Sequence, residues 1–215
     1  MKIPLQKHAR ILITIIIVIL FSTSLWQLSL AGWIQGKAIF AQQLLNHSWN
    51  QTLNNVSNDK KLTPHKPWPW AHTWPVAKLL VPEHNIEQII LAGDSGNSLA
   101  FGPGHSFASA APNSAGTTVI SAHRDTHFRF LKDLKTNDVI FIQTADKTIR
   151  YQVYDMQIID SKTFKLQPAT DRQTLVLVTC YPFDSLASGG SLRYLVYATR
   201  PKAQNKVTLQ ALQTD

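Results

Sequence analysis

The segment TLVLVTCYPFDSLASGGSLRYLVYATR, residues 174–200, consists of two apolar runs joined by a loop. Thr174 to Thr179 and Arg193 to Arg200 are dominated by β-branched and aromatic residues, which suit a pleated, half-buried backbone. Cys180 follows the first run and is itself followed by Tyr181-Pro182. Proline cannot donate to a ladder, so that strand ends there. Gly189-Gly190 supplies an easy turn before the second run begins. If the two strands pair antiparallel, the end of one lies beside the start of the other, which brings Arg193 near Cys180. The single thiol of the chain then sits at the mouth of a strand rather than in its middle.

Outward from this pair the same pattern repeats. Candidate strands run over Ala77 to Val81, Ile86 to Leu91, Thr117 to Ala122, Val139 to Thr144 and Thr148 to Asp160, with Gly, Pro, Asn and Asp in the gaps. The longest, TIRYQVYDMQIID, places Ile149, Tyr151, Val153 and Asp155 on one face, so its alternation is imperfect. Short helical turns are expected at Ser106 to Ala110 and Phe128 to Leu134. Roughly 125 residues with seven or eight short strands make the body mainly β, a closed or nearly closed barrel. No internal repeat is present.

Before the barrel lie two different stretches. Ile11 to Phe21 reads ILITIIIVILF, and no charge occurs between Arg10 and Lys37. A helix over residues 11–36 would be about 39 Å long, enough to cross roughly 30 Å of hydrocarbon. Trp26 and Trp33 suit the interface, and Lys2, Lys7 and Arg10 precede the span. The positive-inside rule places residues 1–10 in the cytoplasm and the rest outside, in the periplasm if the cell has one. A cleaved signal peptide is the competing reading, with Ser29-Leu30-Ala31 as a small-x-small site; apolar residues continuing to Ile34 favour a retained signal-anchor. Residues 37–73 read as a membrane-proximal helix, a spacer and a Pro/Trp-rich linker. KLTPHKPWPWAHTWP, residues 61–75, is extended or turn-like because its prolines fix φ and remove donors. It either packs its tryptophans on the domain or forms a lid over a groove. Residues 74–202 form the barrel domain and 203–215 a tail.

The 215 residues are 44% hydrophobic and 16% charged, which excludes disorder throughout. One cysteine excludes an internal disulfide framework and a four-cysteine zinc site. The formal charge is +8, of which the first ten residues carry +3; the remainder is dispersed, against a nucleic-acid partner.

A thiol needs a base or a cation nearby to become a useful thiolate. His123 closes the run TTVISA and Arg193 opens RYLVYATR, so both stand at strand ends, as Cys180 does. The ordinary alternatives are a small buried cysteine, a satisfied loop histidine and a surface arginine; the shared placement sets the three apart. Asp125 and Asp184 are the acids available to orient His123, against the plainer reading of solvated loop acids. Gly93-Asp94-Ser95-Gly96 imitates a serine-protease motif, but no room exists upstream for that fold's histidine and aspartate. His123 and His127 have the spacing of two zinc ligands, but the first ends a strand and Arg124 stands where a zincin has glutamate. No metal site and no cofactor is expected, and the 13 scattered acids offer no cluster to pick out for calcium, whose dependence stays open.

Val176-Leu177-Val178-Thr179-Cys180, with Arg193 thirteen positions on and His123 upstream, resembles the sortase family. The resemblance covers about Trp74 to Arg200, including PVAKLLVP (75–82), LAFGPGH (99–105), His123-Arg124 and Leu192-Arg193-Tyr194. GDSGNSLAFGPGH and TCYPF are similar to the Gram-negative, proteobacterial branch, class GN. Val176 replaces the first threonine of the usual Thr-Leu-x-Thr-Cys, and Ala122 the usual glycine before the histidine, with consequences for substrate fit. The resemblance implies an eight-stranded barrel and a cysteine transpeptidase that cleaves a C-terminal sorting signal of the Leu-Pro-x-Thr-Gly type. It implies Cys180 as nucleophile, His123 as acid and base, Arg193 as oxyanion donor, and Thr179 shaping the substrate site. Partners would be a substrate protein bearing the signal, an amine acceptor, and the inner membrane through one helix. Two rivals stand: a cysteine peptidase delivering the acyl group to water, and a non-catalytic barrel that binds an extended peptide.

Overall fold

The structure, a computed structural model, describes residues 4–57, 64–167, 173–185 and 189–201. The tail expected at 203–215, the end of the spacer (58–63) and part of the loop after Cys180 (186–188) lie outside these residues. Residues 1–43 and 44–215 form two separate compact units.

Helix α1 spans Pro4–Ser57 without a break, so the expected change from span to membrane-proximal helix and spacer does not interrupt it. Its first part carries an 18-residue window of mean hydropathy 2.3, long and apolar enough to cross a membrane. Apolar side chains from Ile11 to Phe21 are exposed along it. The last turns belong to the second unit. There Leu45 and Trp49, one helical turn apart, are fully buried against Ile89 and Leu91 of that unit. Ser48 Oγ donates to the His65 carbonyl, and Trp68 packs edge-on to Phe101 at 5.0 Å. At Trp68, then, the Pro/Trp stretch lies on the domain surface, whereas Trp70 is exposed.

Eight strands close into a barrel: β1 (Pro75–Val81), β2 (Ile86–Ala92), β3 (Gly104–His105), β4 (Gly116–Ser121), β5 (Val139–Gln143), β6 (Thr148–Asp160), β7 (Gln173–Cys180) and β8 (Leu192–Thr199). Their order around the barrel is β1-β2-β3-β4-β7-β8-β6-β5, with β5 returning to β1. The pairs β2–β3 and β4–β7 are parallel and the others antiparallel. Alternation sends Leu79, Ile90, Ile120, Ile140, Ile142, Tyr151, Leu175, Leu177 and Val196 into one interior cluster. Burial of each such side chain is worth about 1.5–3 kcal/mol relative to exposure.

The imperfect alternation of β6 has a cause. A bulge between Val153 and Asp155 shifts the register against β8. Val153 points into the core before it, and Met156 packs there after it, so Asp155 is not on the inner face that strict alternation predicts. The two-residue β3 has no counterpart among the expected strands. Gly104 within it cannot carry a side chain, since a Cβ would lie 2.3 Å from the Gly93 carbonyl oxygen. The GDSG stretch (93–96) leads into a one-turn helix, α2 (Gly96–Leu99). At 106–110 the chain makes a turn closed by Ser109 N–H to Ser106 O, and Arg129–Lys132 is a 3₁₀ turn.

Candidate active site

Register relates the three chemical candidates. β4 and β7 run parallel, with Ile120 beside Leu177 and Ser121 beside Val178. The pairing carries on past the strand end, where Ala122 N–H donates to Val178 O at 3.1 Å. Two residues beyond Ser121 and Val178 come His123 and Cys180. On the other flank of β7, Cys180 is the direct antiparallel partner of Arg193. Thiol and guanidinium are therefore cross-strand neighbours on β7 and β8, and His123 follows two residues after the end of β4, the strand on the other flank of β7.

Cys180 and Arg193 share the outer face of the barrel. Ile120, Ala122, Leu175, Leu177, Val196 and Ala198 point inward, and residues one step out of phase point outward. His123 is exposed; Cys180 and Arg193 are half-buried. Deeper along the same outer face, Val176 and Leu195 are buried. The thiol thus stands where a covered apolar surface opens to solvent.

Thr179 faces the opposite way. It is 2% exposed, and its hydroxyl donates to Ala122 O at 2.8 Å. That bond ties the residue before the thiol to the residue before the imidazole. Arg193 is drawn toward its own loop, Nη1 donating to Gly190 O at 2.6 Å and to Leu192 O at 2.8 Å. Gly189 permits that loop its turn with φ of +87°. Beside it, Tyr181, Phe183 and Tyr194 form an aromatic cluster, with Tyr181 and Tyr194 stacked at 6.3 Å and Phe183 edge-on to Tyr194 at 5.2 Å. Burial raises the Tyr194 phenol, and Tyr181 adds to the effect.

Two charged groups flank these residues. Asp125 receives Nε of Arg124 at 2.9 Å. That hydrogen bond holds its carboxyl below the usual range, with Arg129 and His123 contributing charge. Asp125 is therefore engaged with Arg124 rather than with the His123 ring. Asp160, opposite Leu192, is lowered first by the Lys162 backbone N–H and next by Ser191, with a contribution from Arg193. His127 is depressed by burial and by neighbouring His123. Among the described residues no group of three or more metal-binding side chains forms.

Comparison with known proteins agrees with this geometry. The Sortase domain profile matches residues 79–201. Sortase D of Bacillus subtilis is 32% identical over 123 residues, 57% of this chain and 62% of the relative, so the chain spans under two thirds of that protein's length. Among solved structures, sortase A from Corynebacterium diphtheriae superposes with a TM-score of 0.56 at 28% identity, covering 64% of this chain and 65% of the other. The sortase D5 transpeptidase of Clostridium perfringens shares the fold, with a TM-score of 0.60 at 20% identity over 76% of this chain and 99% of its own. A closed eight-stranded barrel and a profile match over more than half the residues place this chain in the sortase family.

Proposed function

We propose that this chain is a membrane-anchored cysteine transpeptidase that cuts a C-terminal sorting signal of the Leu-Pro-x-Thr-Gly type and joins the new end to an amine. What supports the reading is the direct pairing of Cys180 with Arg193 across β7 and β8, with His123 two residues past the end of β4, the parallel neighbour of β7.

The Cys180 thiolate attacks the carbonyl carbon after the threonine, and the resulting oxyanion is met by a donor from Arg193. Nη1 of Arg193 is held by loop carbonyls, so the remaining N–H groups are the ones this role uses. Collapse of the tetrahedral species breaks the C–N bond, His123 delivers a proton to the departing amine, and a thioester remains. The acceptor amine then attacks the thioester carbonyl, His123 takes the proton, and the thiolate leaves as the amide forms. Thr179 acts on substrate fit through the Ala122 carbonyl it holds.

The likeness of GDSGNSLAFGPGH and TCYPF to class GN supports placing the chain in that Gram-negative branch. Residues 11–36 would then span the inner membrane, with 1–10 in the cytoplasm and the catalytic body, 74–202, in the periplasm, linked by 37–73. The exposed apolar run on α1 and the cations before it support that orientation.

The test is to incubate the full chain in detergent with a Leu-Pro-x-Thr-Gly peptide and a glycine-based amine, then weigh both enzyme and products. An acyl adduct on Cys180 and an amide product are expected. Acid as the only product would make the protein a peptidase, and absence of any adduct across signal variants would leave a binding barrel.

A further inference from the structure

Past Ser121 and Val178 the β4–β7 ladder stops, yet the chemistry proposed above needs imidazole and thiol to keep a fixed separation. Thr179 and the Ala122 N–H hold the two segments together only as far as Ala122. Beyond it they are joined through Arg124. This residue lies in a surface turn between exposed His123 and Asp125, but its own side chain is 9% exposed. Nη1 donates to Pro182 O at 2.5 Å and Nη2 to Ser185 O at 2.8 Å, both in the loop that follows Cys180. Nε and Nη2 also reach the two Asp125 oxygens, at 2.9 and 3.3 Å. A planar fork with five donors can hold three acceptors at once in fixed directions; an ammonium cannot. Burial of a charge is tolerated only with such pairing, and here the pairing spans the turn after the imidazole and the loop after the thiol.

We propose that Arg124 is a positioning residue of the reaction: its guanidinium clamps the turn after His123 to the loop after Cys180 and so sets the imidazole–thiol geometry. The inference rests on the assignment of His123 and Cys180 made above. Misplacement of reacting groups by about 1 Å costs on the order of a hundredfold in rate, so a clamp one residue from the imidazole acts on catalysis directly. The Arg124 guanidinium is held protonated first by its bond to Asp125, and the charges of Cys180 and Asp184 add to this.

The experiment uses the full chain in detergent and two variants, Arg124→Met and Arg124→Lys, each checked by thermal melting. Two readouts are taken: acylation of Cys180 by the signal peptide, and amide hydrogen exchange over residues 122–125 and 181–185. For Arg124→Met, kcat for acylation should fall about a hundredfold with KM changed less than about threefold. Exchange in both segments should speed up, since the bonds that join them are gone. Arg124→Lys keeps the charge and loses the fork, so its acylation should fall at least about tenfold and its exchange should speed up as well. A folded variant of either kind that acylates within about threefold of the parent overturns the proposal. If Arg124→Met does not fold, Arg124→Lys decides by the same limit; if neither folds, Arg124 is a stability residue and the positioning role is overturned. A parent inert toward every signal peptide refutes the proposed activity alone. Hydrogen exchange then decides the clamp, and Arg124→Met exchange that matches the parent in both segments overturns it.

Discussion

The two ends of the barrel are tied by the same device made from different chemistry. At the end where β4 and β7 begin, Asn113 is 1% exposed and adopts a φ of +64°. Its Nδ2 donates to Ile142 O at 2.9 Å, Thr144 Oγ1 at 3.2 Å and Lys147 O at 3.3 Å. Its side-chain oxygen accepts from Tyr151 Oη at 3.4 Å, and its main-chain oxygen from Gln173 Nε2 at 2.8 Å. Four segments of the chain thus meet on one neutral amide. Burial pushes the Tyr151 phenol up to about 12, so this hub carries no charge at ordinary pH. At the end where the same two strands finish, a charged guanidinium gathers the loops, and His123 beside it stays exposed. The lesson is one of division: the first end is closed and inert, and the second is held in place but left open.

That division is tested most severely by Cys180→Ala, which should abolish both covalent capture of the signal peptide and amide formation while leaving the melting temperature unchanged. Retained cleavage would place the nucleophile elsewhere. Arg193→Ala should lower kcat about a hundredfold or more if its free N–H groups meet the oxyanion, read in a steady-state assay of amide product. Asn113→Ala should show the reverse pattern, a loss of about 2–3 kcal/mol in denaturant unfolding with turnover per folded molecule nearly constant. A collapse of turnover in that variant would show that the two ends are coupled.

The smallest effect concerns acid. Burial and His123 depress the His127 pKa below its ordinary 6.5. Between the depressed value and 6.5 the unfolded chain binds more protons than the folded one, so stability rises with pH there. The contribution is complete above 6.5 and is lost as pH falls through the lower value. His127→Gln should flatten the decline of melting temperature on acidification, measured by calorimetry below pH 6.5.

Strands such as Thr174 to Thr179 were legible because β-branched runs bounded by turn residues suit few other structures. β3 was not, since Gly104-His105 is too short for any period to develop. The β6 bulge was visible as a flaw in alternation at Asp155, without the partner strand that explains it. For the site, the pairing of Cys180 with Arg193 follows from a hairpin-like connection and could be anticipated. His123 was singled out only by its strand-end position and by the resemblance, because the pairing that brings its segment near is parallel, between strands more than fifty residues apart. Arg124 stood in plain view as a break in a zinc-like motif. Its contacts, 58 and 61 residues away, leave no local trace. Asn113 was likewise hidden, as its partners belong to β5, β6 and β7 and the turn between the first two.

A pair set by strand register has a bearing on how such a chain can diverge. Loops between the strands can lengthen or shorten while the thiol still emerges beside the guanidinium. Loss of one residue between Thr174 and Cys180 is another matter: with a side-chain period of two, it would turn the sulfur into the barrel lumen and swing Thr179 to the outside. Insertions and deletions in descendants of this chain are therefore confined to its turns, and β7 keeps its length for as long as the thiol keeps its place beside Arg193.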